Sequence, residues 1–247
     1  MSRFFIPTDS IDGDSILITG SDAHHISHVL RMAKGDRLTV CDMGRREHEC
    51  VISDFSKDTV ALKVISTKDS ENEPSVRVTL YQGLPKADKF EQIIQKAVEL
   101  GVDRIVPVKA ERSIVKVNES FGKKLERYSA IAESAAKQCG RAIIPQVSEA
   151  VSFEQMISEM KKLSLSFICY EGNEVIPIKK LLSDAIENGV GEIGFYIGPE
   201  GGLSVSETKA AKEAGIAMCG LGSRILRTET ASGCVLSCIM LLSGNLG

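Results

Sequence analysis

The sequence predicts an α/β protein in two parts: a small β-rich domain over residues 1–72, and a parallel sheet with helices on both faces over 73–247. Three observations carry that expectation. Up to Lys68 the chain is a series of short segments in which apolar and polar residues alternate, the period of half-buried strands. A polar, charged stretch, Lys68 to Pro74, ends in proline and reads as a linker. From Val76 onward strands alternate with amphipathic helices, the rhythm of a parallel sheet wrapped on both faces.

In the first part RFFI, SILIT, DRLTVCDM, REHECVISDF and TVALKVIST read as strands, interrupted by one helical stretch, DAHHISHVLRMAKGD. So many short strands in so few residues suggest a small barrel or sandwich. In the second part VRVTLYQ is the opening strand. A helix from about Asp88 to Leu100 places Phe90, Ile93, Ile94, Ala97 and Val98 on one face. Asp88 with Glu91 resembles a capping box there, and Gly101 suits the stop. Strand RIVPV precedes a helix near Lys123 to Cys139. Ser152 with Gln155 starts the next helix, and LSFICY is a buried strand. Pro177 opens a helix that closes near Gly189, before strand EIGFYIG. Ser204 with Glu207 caps a helix that stops at Gly215. Strand IAMCGL leads to a C-terminal helix from about Glu229.

Composition narrows the class. A chain of 247 residues, 43% hydrophobic and 26% charged, is ordinary globular protein with a sizeable core. No apolar run reaches the ~18 residues of a membrane span, and the N-terminal segment has no apolar signal core. Cys41, Cys50, Cys139, Cys169, Cys219, Cys234 and Cys238 are odd in number, form no CxxC pair and mostly sit in apolar runs. Buried reduced thiols in a cytoplasmic protein are expected. A net charge of −3 argues against a nucleic-acid partner, yet Arg77 to Pro145 carries 13 Lys and Arg against 8 Asp and Glu. From Gln146 to the end the balance reverses, 8 against 12. A basic segment permits RNA binding without establishing it.

In parallel α/β sheets ligands sit outside the carboxyl ends of the strands. Three such ends are unusual: Glu171-Gly172-Asn173 after LSFICY, Pro199 to Ser204 after FYIG, and Ser223 to Thr230 after MCGLG. Each has glycine in or beside it, and together they could line a pocket for an adenine nucleoside. No P-loop GKS/T occurs, which disfavours a nucleotide triphosphatase. GLGSRI lacks the third glycine of a dinucleotide fingerprint and lies far from the first strand of its domain.

The strings KADKFEQIIQKAVELGVDRIVPVKAERS, QCGRAIIP, IGPEGGLSVSE and LGSRILRTETA, in that order, resemble the SPOUT-class family of ribosomal RNA small subunit methyltransferase E. The opening RFF and HHISHVLRMAKGD are similar to its PUA-like RNA-binding domain. The resemblance spans essentially the whole chain. It implies methylation of uridine N3 in 16S ribosomal RNA with S-adenosylmethionine as donor. It also implies a homodimer and a deep trefoil knot over about 165–247, which spacing could not show because knots are rare.

Carried onto this sequence, the cofactor residues implied are Tyr170, Glu171 and Gly172; Ile197, Gly198, Pro199, Gly201, Gly202 and Leu203; and Leu221, Gly222, Ile225, Leu226, Arg227, Thr228, Thr230 and Ala231. Leu203, Leu221 and Leu226 would sandwich the adenine. Uridine N3 is protonated at neutral pH, so a base is needed, and Glu200 and Glu229 are the candidates. Arg141 or Arg227 would stabilise charge on the uracil oxygens. Glu229 serves equally as an acid in the first turn of a helix, and Arg141 as a cation at a helix end. Arg3, Arg31, Arg45, Arg46, Lys86, Lys89, Arg112 and Arg141 are the candidate RNA contacts, since cationic side chains bind phosphate.

His24 and His28 lie four apart, yet no third ligand is spaced to complete a metal site, and none is expected. Two other readings stay open: a methyltransferase of the same class acting on another base or on transfer RNA, and a non-catalytic RNA-binding module.

Overall fold

The computed structural model describes residues 2–86, 88–113, 115 and 121–246. The chain forms two compact units: Met1–Glu73 with Ala136–Ile144, and Pro74–Ala135 with Pro145–Gly247.

In the first unit, β1 (Arg3–Phe5), β2 (Ile11–Asp12), β3 (Ser15–Thr19), β4 (Arg37–Cys41), β5 (Arg46–Ser56) and β6 (Thr59–Asp69) make one sheet in the order β1-β4-β5-β6-β3-β2. Its pairings are antiparallel except β1 with β4. Phe4 and Ile6 share one core with Ile16, Ile18, Leu38, Val40, Ile52, Val60 and Leu62, so the sheet curls around a single apolar cluster. Among the described residues no ladder joins β1 to β2. The alternation in SILIT is visible directly: Ile16 and Ile18 are buried and their neighbours exposed.

The helical interlude is shorter than its sequence suggests. One turn of α1 (Gly20–His24) continues as a π turn over His25–Val29, and Leu30 N donates to His25 O at 2.9 Å. Arg31 then turns left-handed, with φ of 53°. Such irregular backbone ends a helix before its apolar pattern does. The His24 and His28 rings stack, with centroids 4.4 Å apart.

Residues 136–144 belong to this unit through a buried ion pair. The guanidinium of Arg141 donates to both oxygens of Glu73, at 3.3 and 2.7 Å, and the Glu73 Oε1 also accepts from Ala142 N and Ile143 N.

The second unit is built on an all-parallel sheet of β7 (Arg77–Gly83), β8 (Arg104–Lys109), β9 (Gln146–Val147), β10 (Val151–Ser152), β11 (Leu165–Cys169), β12 (Ile176–Pro177), β13 (Glu192–Ile197) and β14 (Ala217–Gly220). The order is β10-β8-β7-β13-β11-β14-β12, with β9 also on β8. Interleaved with the strands are α2 (Lys89–Glu99), α3 (Phe121–Cys139, of which the residues from Ala136 on belong to the first unit), α4 (Phe153–Met160), α5 (Ile178–Glu187), α6 (Val205–Glu213) and α7 (Thr228–Leu242). The helices of α4 and α6 pack on one face, where Phe153, Met156 and Ala211 meet Tyr81, Ile168 and Tyr196. The α7 helix packs with α2 and α5. Between them Phe167 and Phe195 stack in register on neighbouring strands, 5.8 Å apart.

Two of the expected caps form as full capping boxes, Ser152 with Gln155 and Ser204 with Glu207. Asp88 does not. Its backbone is not extended (φ −82°, ψ 8°), so its side chain caps nothing, and its carbonyl accepts from Glu91 N instead. Side-chain capping needs the extended conformation that Ser152 and Ser204 adopt.

Candidate active site

The strands β13, β11 and β14 are adjacent and parallel, so their carboxyl ends lie on one edge and the loops that leave them are neighbours. Tyr170, just past β11, donates its backbone N–H to Cys219 O at 2.9 Å, which ties the first loop to the third strand. Gly202 and Gly222 have φ of 63° and 105°, a region that L side chains rarely adopt and that glycine enters without strain. Residues 222–226 form no backbone hydrogen bond with other described residues, leaving their N–H and C=O groups available to a ligand.

A buried amide holds this edge together. Gln82, at the end of β7, is fully buried. The two N–H groups of its Nε2 are shared among three acceptors, Gly83 O (3.0 Å), Ile197 O (3.3 Å) and Thr228 Oγ1 (2.9 Å). Thr228 Oγ1 in turn donates to Gly198 O at 2.8 Å. The chain thus joins the strand end, the loop after β13 and the first residue of α7. Next to it, a Cβ on Gly83 would stand 2.5 Å from Pro199 Cδ, so the close approach of the two segments depends on glycine. Sequence reasoning missed Gln82; a lone amide ending the apolar run VRVTLYQ was its only signal.

Glu200 and Glu229 are brought together by Lys89. The Lys89 ammonium lies 3.0 Å from Glu200 Oε1 and 3.6 Å from Glu229 Oε2. The Lys86 backbone N–H also donates to both Glu200 oxygens, each at 3.3 Å. Burial raises the Glu200 carboxyl, but backbone hydrogen bonds and Lys89 outweigh it and hold the group below the ordinary glutamate value. The hydrogen bond to Glu200 holds the Lys89 ammonium above the usual lysine value. Glu229 Oε2 is buried and accepts no hydrogen bond.

Beside the loops lies a cleft of about 470 Å³ lined by Arg112, Tyr170, Leu203, Ser204, Thr208 and Lys212, among others. That is the size of an ordinary small-molecule site. Arg112 donates to Gly201 O at 3.1 Å, and Glu111 N to Glu207 Oε1 at 2.8 Å, fastening the segment after β8 to the start of α6. Of the other cofactor residues expected from the resemblance, Ile197, Pro199, Thr228 and Ala231 are buried, and Gly198, Leu221 and Leu226 are half-buried. Glu171, Gly201, Ile225, Arg227 and Thr230 are exposed.

The expected RNA contacts divide by what already holds them. Arg31, Lys86 and Arg112 are exposed, and Lys89 is half-buried. Arg45 takes a left-handed conformation in the β4–β5 turn, with φ of 65°. Arg46, also exposed, pairs with Asp42 at 2.7 Å. Arg3 is turned inward, on Glu47 at 3.0 Å and Cys41 Sγ at 3.0 Å. Arg141 is 4% exposed at its side chain and committed to Glu73, both in the first unit, whereas Glu200, Arg227 and Glu229 are in the second.

Comparison with known proteins gives this site a context. A family described as an RNA methyltransferase domain matches residues 71–240, and one described as an RNA methyltransferase PUA domain matches residues 18–65. The chain is 37% identical to ribosomal RNA small subunit methyltransferase E of Bacillus subtilis, over 97% of this chain and 96% of that protein. It is 30% identical to the protein of the same name from Synechocystis, over 93% of this chain and 74% of that one. A crystal structure of ribosomal RNA small subunit methyltransferase E from Neisseria gonorrhoeae, bound to S-adenosylmethionine, superposes with a TM-score of 0.85 at 30% identity, covering 98% of each chain.

Proposed function

The chain belongs to the ribosomal RNA small subunit methyltransferase E family, and we propose that it transfers a methyl group from S-adenosylmethionine to N3 of a uridine in 16S ribosomal RNA. The observation that carries this is the row of three loops on one sheet edge, two of them cross-tied by Gln82 and Thr228 and the third tied through Tyr170 to Cys219, with free backbone groups at 222–226.

The residues present fit the donor. An adenine needs apolar surface above and below and backbone partners at its edge. Leu203, Leu221 and Leu226 are half-buried beside the open backbone of 222–226 and the left-handed Gly202 and Gly222. The segments that would hold it are Tyr170 to Gly172, Ile197 to Gly202 and Leu221 to Thr230. When bound, the sulfonium supplies an already activated methyl group, so alignment is most of what the protein must add. Arg227 stands exposed at the start of α7, suited to meet charge developing on a uracil oxygen. Arg31, Arg45, Arg46, Lys86 and Arg112 are the cations proposed to meet RNA phosphates.

The knot, the homodimer and a cytoplasmic setting belong to the same proposal. Exposed Leu241 and Leu242 at the end of α7 support a second copy as the partner of that helix. The test is paired. Isothermal titration with S-adenosylmethionine should give saturable heat, and labelled methyl should appear in small-subunit ribosomal RNA. No heat of binding would reduce the protein to an RNA-binding module; methyl on transfer RNA would move the substrate.

A further inference from the structure

We infer that Glu229 is the proton acceptor for uridine N3, and that Lys89 is a positioning residue, bonded to Glu200 and facing Glu229. This deepens the function proposed above and rests on it.

Two carboxylates flank one ammonium, and their surroundings differ. Glu200 accepts from the Lys86 backbone at both oxygens and from Lys89 at 3.0 Å. Hydrogen bonds to the ionised form weaken a carboxylate as a base. Its geometry is that of a clamp: Glu200, in the loop after β13, fastens that loop to the start of α2. Glu229 has the opposite character. Its Oε2 faces Lys89 at 3.6 Å, beyond hydrogen-bond length. That ammonium is the one cation paired with it among the described residues, no hydrogen bond within 3.5 Å reaches Oε2, and the side chain is 17% exposed. An acceptor oxygen buried without a hydrogen bond is costly, and such a group calls for an explanation in the chemistry of its site. A uridine N3–H is a donor of the kind this carboxylate lacks. Helix α7 begins at Thr228, which Gln82 and Gly198 fix in place, so the acid one residue later is held rigidly at the loops.

The step balances with these groups alone beside donor and substrate. The N3–H bond breaks and its proton goes to the Glu229 carboxylate. The freed electron pair forms the N3–methyl bond, and the sulfur–methyl bond breaks with its pair left on sulfur. Glu229 then releases the proton to solvent.

The test is single-turnover methylation of small-subunit ribosomal RNA by E229Q and E229D across pH, with S-adenosylmethionine affinity measured in parallel by titration calorimetry. E229Q should lose about 10²–10⁴-fold in rate at neutral pH, with affinity for the donor unchanged. It should recover as pH approaches the ionisation of N3 itself, where no base is needed. E229D, which keeps a carboxylate, should keep the wild-type shape of the pH profile at a lower rate. K89M should shift that profile, while E200Q should act on donor affinity more than on the limiting rate. An E229Q rate within about tenfold of wild type, or a loss with no alkaline recovery, overturns the assignment. Wild-type protein that leaves N3 unmethylated overturns the underlying function instead.

Discussion

Gln82 Nε2 donates to Thr228 Oγ1 at 2.9 Å, between two buried side chains 146 positions apart in the sequence. Through this bond the end of β7 holds the start of α7, and with it the loops on either side. Q82A removes the donor to Thr228 Oγ1 and leaves that hydroxyl with only its bond to Gly198 O. It should cost about 1–3 kcal/mol of stability and weaken S-adenosylmethionine binding. A double-mutant cycle with T228V, read by urea unfolding, should show coupling of about 0.5–3 kcal/mol. Strict additivity would mean the bond does not hold the loops.

Arg141 and Glu73 form an ion pair with 4% and 2% of their side chains exposed. Removing one partner leaves a buried charge uncompensated, so R141A and E73Q should each destabilise the first unit by about 3–5 kcal/mol. Chemical denaturation checks this. Donor binding, proposed for loops of the second unit, should survive in R141A when measured below its unfolding transition. Methylation by R141A at the normal rate would remove Arg141 from the substrate machinery.

Asp42 predicts a pH dependence. Burial raises its carboxyl, but the N–H groups of Gly44 and Arg46 and the side chains of His48 and Arg46 outweigh it and hold the group below the ordinary aspartate value. A carboxyl depressed in the folded state adds stability that is complete above its unfolded value, about 3.9. That contribution is lost as pH falls through the folded value. The urea midpoint of wild type should therefore drop below about pH 4. D42N should be less stable at neutral pH and lose less on acidification.

The capping box at α6 offers a smaller effect. Ser204 Oγ accepts from Glu207 N at 3.1 Å, and the Glu207 side chain answers at Ser204 N at 2.9 Å. S204A should cost about 1 kcal/mol. E207Q should cost more than a cap alone, because Glu207 also accepts from Glu111 N at 2.8 Å. Thermal melts of both variants decide the ranking.

What was legible in the sequence is what is local. Ser152 with Gln155 and Ser204 with Glu207 announce helix starts within four residues, and the alternation of SILIT names its buried face. Asp88 shows the limit of such reading, since the right residue pair meets the wrong backbone conformation. The π turn after His24 and the two-residue strands β2, β9, β10 and β12 carry no periodic signal long enough to detect. Long-range partners were out of reach. Nothing near Arg141 in the chain points to Glu73, and nothing near Gln82 points to Thr228. The motif strings located Glu200 and Glu229, but only the fold set Lys89 between them and showed that Glu200 accepts hydrogen bonds from Lys86 and Lys89 while Glu229 Oε2 accepts none.

The most direct test of the central claim is mass mapping of ribosomal RNA from cells lacking this protein, before and after its return. The account predicts one missing methyl group on N3 of a small-subunit ribosomal RNA uridine, restored by the wild-type protein. An unchanged small-subunit RNA, or a methyl lost from a different RNA, would contradict it.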